Sequence, residues 1–158
     1  MYCFTKTRVK FLRNGLSRKI VANAYYNRGL CKFKIQDYKG AIGDYSIYIN
    51  YDANDADAYY NRADAYYKLA AYQNAVNDWH KVLEMDPDYE INYFDKANSE
   101  YMVGLFQNAL ISIDKYLEEN PNFEKALDLK KMIKESISKS NSENLISECI
   151  RKIKRIFR

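Results

Sequence analysis

The stretch AYYNRADAYY occupies residues 58–67. A close relative of it, AYYNRGLCKF, begins at Ala24, and 58 − 24 gives a spacing of 34. Laying the chain out at that period yields three blocks, 22–55, 56–89 and 90–123, whose columns agree. Tyr25, Tyr59 and Tyr93 align, as do the small residues Gly29, Ala63 and Ala97. Tyr38, Tyr72 and Phe106 form an aromatic column, followed by Ala41, Ala75 and Ala109. Then come Tyr45, Trp79 and Ile113, and after them Ile49, Leu83 and Leu117. Ala53, Pro87 and Pro121 close the blocks. Within a block the spacings of three and four put these residues on helical stripes, so each block reads as two helices with facing small residues. Proline disfavours helix at the residue before it, which predicts helix ends at Asp86 and Asn120. Such a hairpin cannot bury its apolar face alone and needs neighbours stacked against it.

In period and column pattern, residues 22–123 resemble the tetratricopeptide repeat (TPR) family. The resemblance implies an all-α, right-handed α-solenoid of three antiparallel helix hairpins with flanking helices. Some columns depart from the family pattern. Arg28, Arg62 and Lys96 stand at a leucine-like site, and Lys32 and Glu100 stand where Tyr66 keeps an aromatic. Tyr48 and Tyr116 fill a site that is usually small. These departures predict looser packing in the first and third blocks, and Ala53 predicts a softer first boundary.

Composition agrees with a globular helical chain. The 158 residues suit one domain. With 29% charged residues, two prolines and five glycines, a turn-rich β architecture and disorder are both disfavoured. Cys3, Cys31 and Cys149 form no CxxC pair, and the single His80 has no ligand partner nearby, so reduced thiols and a cytoplasmic setting are expected. Neither a membrane-spanning run nor a secretory signal is legible.

Charge is segregated along the chain. Residues 1–21 carry six cations and no acid, residues 56–123 carry five cations against twelve acids, and residues 124–158 carry ten against five. The basic stretch 1–21 is expected to be a helix capping the first repeat; organelle targeting by residues 1–20 is the alternative. Residues 124–137 are expected to form a capping helix, because Lys131 occupies the small-residue column and blocks a further partner. The stretch 138–144, SKSNSEN, reads as a polar linker. Residues 145–158 read as a basic amphipathic helix, with Ile146, Ile150, Ile153 and Phe157 on one side and Arg151, Lys154 and Arg155 on the other. Three fates stand open for it: packing back on the domain, docking to an acidic partner, or lying on an anionic membrane surface. Nucleic acid is disfavoured, since nothing organises a base-reading site.

The family resemblance places a peptide-binding groove on the first helices of the hairpins. Carried across, its wall holds Tyr26, Phe33 and Lys34 from the first block. The second block gives Asp57, Tyr60, Asn61, Asp64, Tyr67 and Lys68, and the third gives Phe94, Asn98 and Tyr101. Some family members clamp a chaperone's terminal carboxylate with lysines, asparagines and an arginine. The corresponding residues here are Tyr26, Leu30, Asn61, Ile91 and Asp95, of which only Asn61 matches. A carboxylate needs cations or convergent donors, so that ligand is not expected. With Asp57 and Asp64 beside the aromatic ladder, a peptide mixing apolar side chains with lysine or arginine is expected instead. No phosphate loop, metal spacing or nucleophile motif is legible, so neither enzymatic activity nor a cofactor is expected. The sequence therefore reads as a protein–protein interaction adaptor. The alternative is a membrane- or complex-tethered structural subunit acting through residues 145–158.

Overall fold

The computed structural model describes residues 3–156, with side chains described for 17–148 and 150–152. Seven α-helices and no strand occur among the described residues. They are α1 (Cys3–Lys34), α2 (Tyr38–Tyr51), α3 (Ala56–Lys68), α4 (Tyr72–Met85), α5 (Tyr93–Met102), α6 (Phe106–Glu119) and α7 (Glu124–Ile156). The fold is an all-α solenoid of helical hairpins: α1 with α2, α3 with α4, and α5 with α6. The chain divides into two compact units, Met1–Ile91 and Asn92–Arg158. In the first, α2 also packs on α3; in the second, α6 packs on α7.

Each hairpin turns about one column. Gln36, Ala70 and Gly104 all take a left-handed backbone, with φ of 64°, 55° and 81°. Only the third is glycine, the residue for which this conformation carries no steric cost. The second helices then end in register. The backbone N–H groups of Asp52, Asp86 and Asn120 donate to the carbonyls of Tyr48, Val82 and Tyr116. The first boundary, expected to be softer without a proline, thus falls in the same column as the other two. Asp55 and Asn92 cap α3 and α5 by accepting from backbone N–H groups of the first turn.

The small columns are where helices touch. Ala63, Ala97, Ala41, Ala75 and Ala109 are fully buried. At Gly29 a Cβ would stand 2.7 Å from the Tyr45 ring, so no side chain fits between α1 and α2 there. Tyr45, Trp79 and Ile113, one per hairpin, are buried on the facing helices.

The cations expected to loosen the packing are paired instead. Arg28 grips Asp44 with two hydrogen bonds of 2.8 and 2.6 Å, and Arg62 grips Asp78 with two of 2.7 and 2.8 Å. In the third hairpin the matching position is Ser112, which cannot supply charge; Glu100, on the same helix as Lys96, supplies it. Lys96 donates to Glu100 and, at 2.8 Å, to Ser112 Oγ, which in turn donates to Glu100 at 2.6 Å. Arg62 also reaches back to Ser46 Oγ at 3.0 Å, stitching the second hairpin to the first.

Two expectations about the flanks change. The boundary at 21/22 is not visible as a break, because α1 runs through it. The segment 138–144 is not a linker; it lies inside α7. It contains no proline or glycine, and its serines fold back onto the helix. Ser138 Oγ donates to the Lys134 carbonyl at 3.0 Å, and Ser142 Oγ donates to the Ser138 carbonyl at 3.0 Å. A polar run of this kind marks a solvated helix rather than a chain break. Within unit 2, Ala126, Leu129 and Ile133 of α7 complete the core around Ala97, Ala109 and Ile113.

Two stability changes follow from this packing. Ala75→Leu should cost about 1–3 kcal/mol by overpacking the α3–α4 contact, read as a lower urea midpoint. Asp78→Ala should cost roughly 3 kcal/mol, because it strands Arg62, whose side chain is 17% exposed. Replacing both Arg62 and Asp78 with apolar residues should cost less than Asp78→Ala alone.

Candidate peptide-binding surface

The expected groove residues lie on α1, α3 and α5, the first helices of the hairpins. Their rings are half-buried, while Lys34, Asp57 and Lys68 are exposed. Each ring also leans on its own hairpin. Phe33 meets Tyr38 at 5.3 Å, Tyr67 meets Tyr72 at 6.0 Å, and Tyr101 meets Phe106 at 5.7 Å, one pair bracketing each turn. Tyr67 further contacts buried Trp79 at 6.1 Å, and Lys68 Nζ lies 5.5 Å from the Tyr67 ring centre. These rings therefore support the scaffold as well as face outward.

The other rung of the ladder is built differently in each hairpin. Tyr26 stacks on Tyr48 at 5.0 Å, and Phe94 stacks on Tyr116 at 5.5 Å in the same columns. In the second hairpin that column holds Val82, so Tyr60 lacks the counterpart of this stack. Tyr60 meets Tyr89 at 5.4 Å, as Phe94 meets Phe123 at 5.6 Å.

Unit 1 joins its rungs through hydrogen bonds. Asn61 Nδ2 donates to Tyr26 Oη at 2.9 Å and to the Asp57 carbonyl at 2.8 Å. Tyr89 Oη donates to Asp57 Oδ1 at 2.5 Å, and Tyr48 Oη donates to Asp55 Oδ2 at 2.5 Å. No lysine or arginine among the described residues pairs with Asp55 or Asp57. Asp64 and Asn98 each have a partner of their own. The tyrosine links to Asp55 and Asp57 cross from loop to helix, and sequence periodicity gave no signal for the one from Tyr89 to Asp57.

Burial, followed by the hydrogen bond to Asp55, pushes the Tyr48 phenol above its ordinary value; burial and then Asp57 do the same for Tyr89. Burial also raises Tyr26, with the charges of Asp57 and Asp55 adding to it and the Asn61 bond opposing. All three phenols are thus protonated at neutral pH.

The positions matched to a carboxylate clamp do not form one. Asn61 is engaged as above, Ile91 is buried, and Tyr26 faces carboxylates. Among the described residues there is no group of histidine, cysteine or acid side chains able to hold a metal ion. No helix among them is long and apolar enough to cross a membrane.

In the second expected site, Ile146 is 60% and Ile150 48% exposed, and Arg151 is exposed. The side chains of Ile153, Lys154 and Arg155, and the whole of Phe157, lie outside the described residues. Packing back onto unit 2 is therefore not what the described part of 145–158 does.

The tyrosine links make a pH prediction. A raised folded pKa means that the stability these phenols lend is full below about pH 10, the unfolded value, and is lost as pH rises toward the folded value. The melting temperature should fall above about pH 10, and fall less steeply in Tyr48→Phe with Tyr89→Phe. Thermal scans paired with phenolate absorbance would check this.

Comparison with known proteins places the second block. A family model described as tetratricopeptide repeat matches residues 56–89. The second TPR domain of human RPAP3, solved with the HSP70 peptide SGPTIEEVD, is 26% identical, with a TM-score of 0.61 over 74% of this chain and 98% of that one. The TPR2B domain of yeast Sti1, solved as a pHsp70 complex, is 27% identical, with a TM-score of 0.58 over 73% and 98%. The C-terminal TPR-containing domain of a putative FK506-binding protein from Plasmodium falciparum is 16% identical, with a TM-score of 0.67 over 81% and 95%. No curated protein matches the chain.

Proposed function

Because this chain is a tetratricopeptide repeat protein, we propose that it is a non-enzymatic adaptor that holds a peptide segment of a partner protein against the ringed faces of its first helices. Of two similar domains, that of human RPAP3 was solved with an HSP70 peptide and that of yeast Sti1 as a pHsp70 complex. That supports a protein partner. The wall chemistry argues for a different ligand. The peptide on the RPAP3 domain ends in Glu-Glu-Val-Asp, and such an end needs cations. Here Asp57 and Asp55 stand beside Tyr26 and Tyr60 without a cation of their own among the described residues.

The single observation that carries the reading is this uncompensated carboxylate pair set among half-buried rings. A lysine or arginine of the ligand would find both a carboxylate and a ring face, worth about 0.5–2 kcal/mol for the ring alone. Apolar ligand side chains would cover the rings beside it. Tyr26, Tyr60, Asp57, Asn61 and Asp64 are assigned to contact. Phe33, Lys34, Tyr67 and Lys68 extend the wall toward the turns. Phe94, Asn98 and Tyr101 are assigned the same role within unit 2 by register.

The test is a peptide titration against the full chain. Peptides alternating apolar residues with lysine or arginine should bind about tenfold or more tighter than peptides ending in Glu-Glu-Val-Asp, a difference of about 1.4 kcal/mol. Tyr60→Ala with Asp57→Asn should weaken that binding by about tenfold or more while helical circular dichroism stays near wild type. Equal affinity for the two peptide classes, or preference for the acidic one, would overturn the assignment.

A further inference from the structure

Among the described residues, unit 1 has one edge lined mainly by acids. The α2–α3 connection and the chain after α4 lie together there, because Tyr89 reaches Asp57. Residues 51–61 and 82–91 contain no lysine or arginine. Asp57, Asp86, Asp88 and Glu90 are exposed along this edge, and Asp55 is half-buried. Asp52 is a separate case, since Arg18 and Lys19 line the same cleft and offset it. The rings of Tyr60 and Tyr89 stand between the acids.

The same chain carries the complementary surface. Leu145, Ile146 and Ile150 on α7 are 65%, 60% and 48% exposed. Every described side chain from 141 to 152 is exposed, so this part of α7 stands in solvent within unit 2. Its apolar residues gain nothing there, and three large ones on one stretch mark an interaction surface. Residues 145–158 also carry five cations against Glu148 alone, a net charge of 5 − 1 = +4. Apolar side chains interleaved with lysine and arginine are the chemistry that the tyrosine-and-acid edge takes.

We propose that residues 145–158 of one copy dock on the acidic tyrosine edge of unit 1 in a second copy. This rests on the groove reading above, since Asp57 and Tyr60 belong to both. The two surfaces differ, so the contact is heterologous and joins copies head to tail rather than as an isologous pair. Charge sets the attraction and the register, so association weakens with salt.

Sedimentation velocity on full-chain protein tests it. The wild-type mass should rise with concentration, and the dissociation constant should rise about tenfold or more from low to high salt. Two full-chain variants separate the surfaces: Ile146→Asp with Ile150→Asp, and Asp86→Asn with Asp88→Asn and Glu90→Gln. None of these five side chains is buried, and circular dichroism confirms the fold of each variant. Each variant alone should stay monomeric. An equimolar mixture should recover one-to-one dimers and stop there, because each pair retains a single intact contact. A wild type that is monomeric throughout, a mixture that stays monomeric, or an edge variant that still self-associates would overturn the proposal. So would a wild type that remains monomeric while sedimenting with anionic vesicles through 145–158, which would make a lipid surface the occupant. If the mixture fails but apolar-basic peptides still bind at Tyr60, this inference falls alone; if those peptides fail too, the groove reading falls with it.

Discussion

Each hairpin depends on two helices touching where one of them has almost no side chain. At Gly29 the backbone of α1 lies against the Tyr45 ring with no room for a methyl group. Ala63 and Ala97 hold the same column, fully buried, in the next two hairpins. Close approach brings the remaining columns into range of one another. The left-handed residues 36, 70 and 104 act as fold lines, and positions equally distant from them meet across the hairpin. Residues 28 and 44 stand eight positions either side of 36, and residues 62 and 78 stand eight either side of 70. The arginine–aspartate pairs therefore result from an antiparallel fold about a fixed turn.

The third hairpin tests that view, because its composition breaks the pair. Ser112 takes the place of the aspartate, and the carboxylate reappears at Glu100, one turn along the same helix as Lys96. A buried cation left alone would cost several kcal/mol, so the charge had to come from somewhere within reach. The period continues into α7 with a change of partner. Lys130 keeps the cation column and binds Asp114 of α6 at 2.8 Å, the counterpart of the Arg62 contact to Ser46. Lys131 takes the small-residue column and is exposed, whereas Gly29, Ala63 and Ala97 in that column are buried.

Much of the scaffold was legible because a repeat states its packing three times. The small columns, the aromatic columns and the helix ends before Pro87 and Pro121 all carry local chemistry that needs no tertiary context. What stayed hidden has physical reasons. Gln36 and Ala70 adopt a left-handed conformation that their identities do not announce; it is set by the helix ends, where the Asp37 and Ala71 N–H groups close onto the Lys32 and Tyr66 carbonyls, at a modest steric cost. The stretch 138–144 looks like a linker by composition, yet serine side chains can return their hydrogen bonds to the helix that carries them. The cations at 28, 62 and 96 read as defects until their partners sixteen positions away are considered. At the candidate surface, the aromatic residues were legible by register. The link from Tyr89 to Asp57 was not, since it spans 32 residues and falls outside the period.

The rings are not equally engaged in the scaffold. Tyr26 is wedged against both Tyr45 and Tyr48, and Tyr67 touches the buried indole of Trp79, so removing either ring would disturb the core. Tyr60 differs because Val82 takes the place of the ring that backs Tyr26 and Phe94 in the other hairpins. Tyr60 is half-buried and meets Tyr89, which in turn donates to Asp57. The second hairpin also matches the family pattern most fully. Regular packing elsewhere in that hairpin holds Tyr60 in place, against Tyr89 among others. A half-buried ring already fixed by its neighbours loses little further entropy on meeting a ligand, which is the physical reason the proposed contact is assigned to Tyr60 rather than to a ring the core depends on.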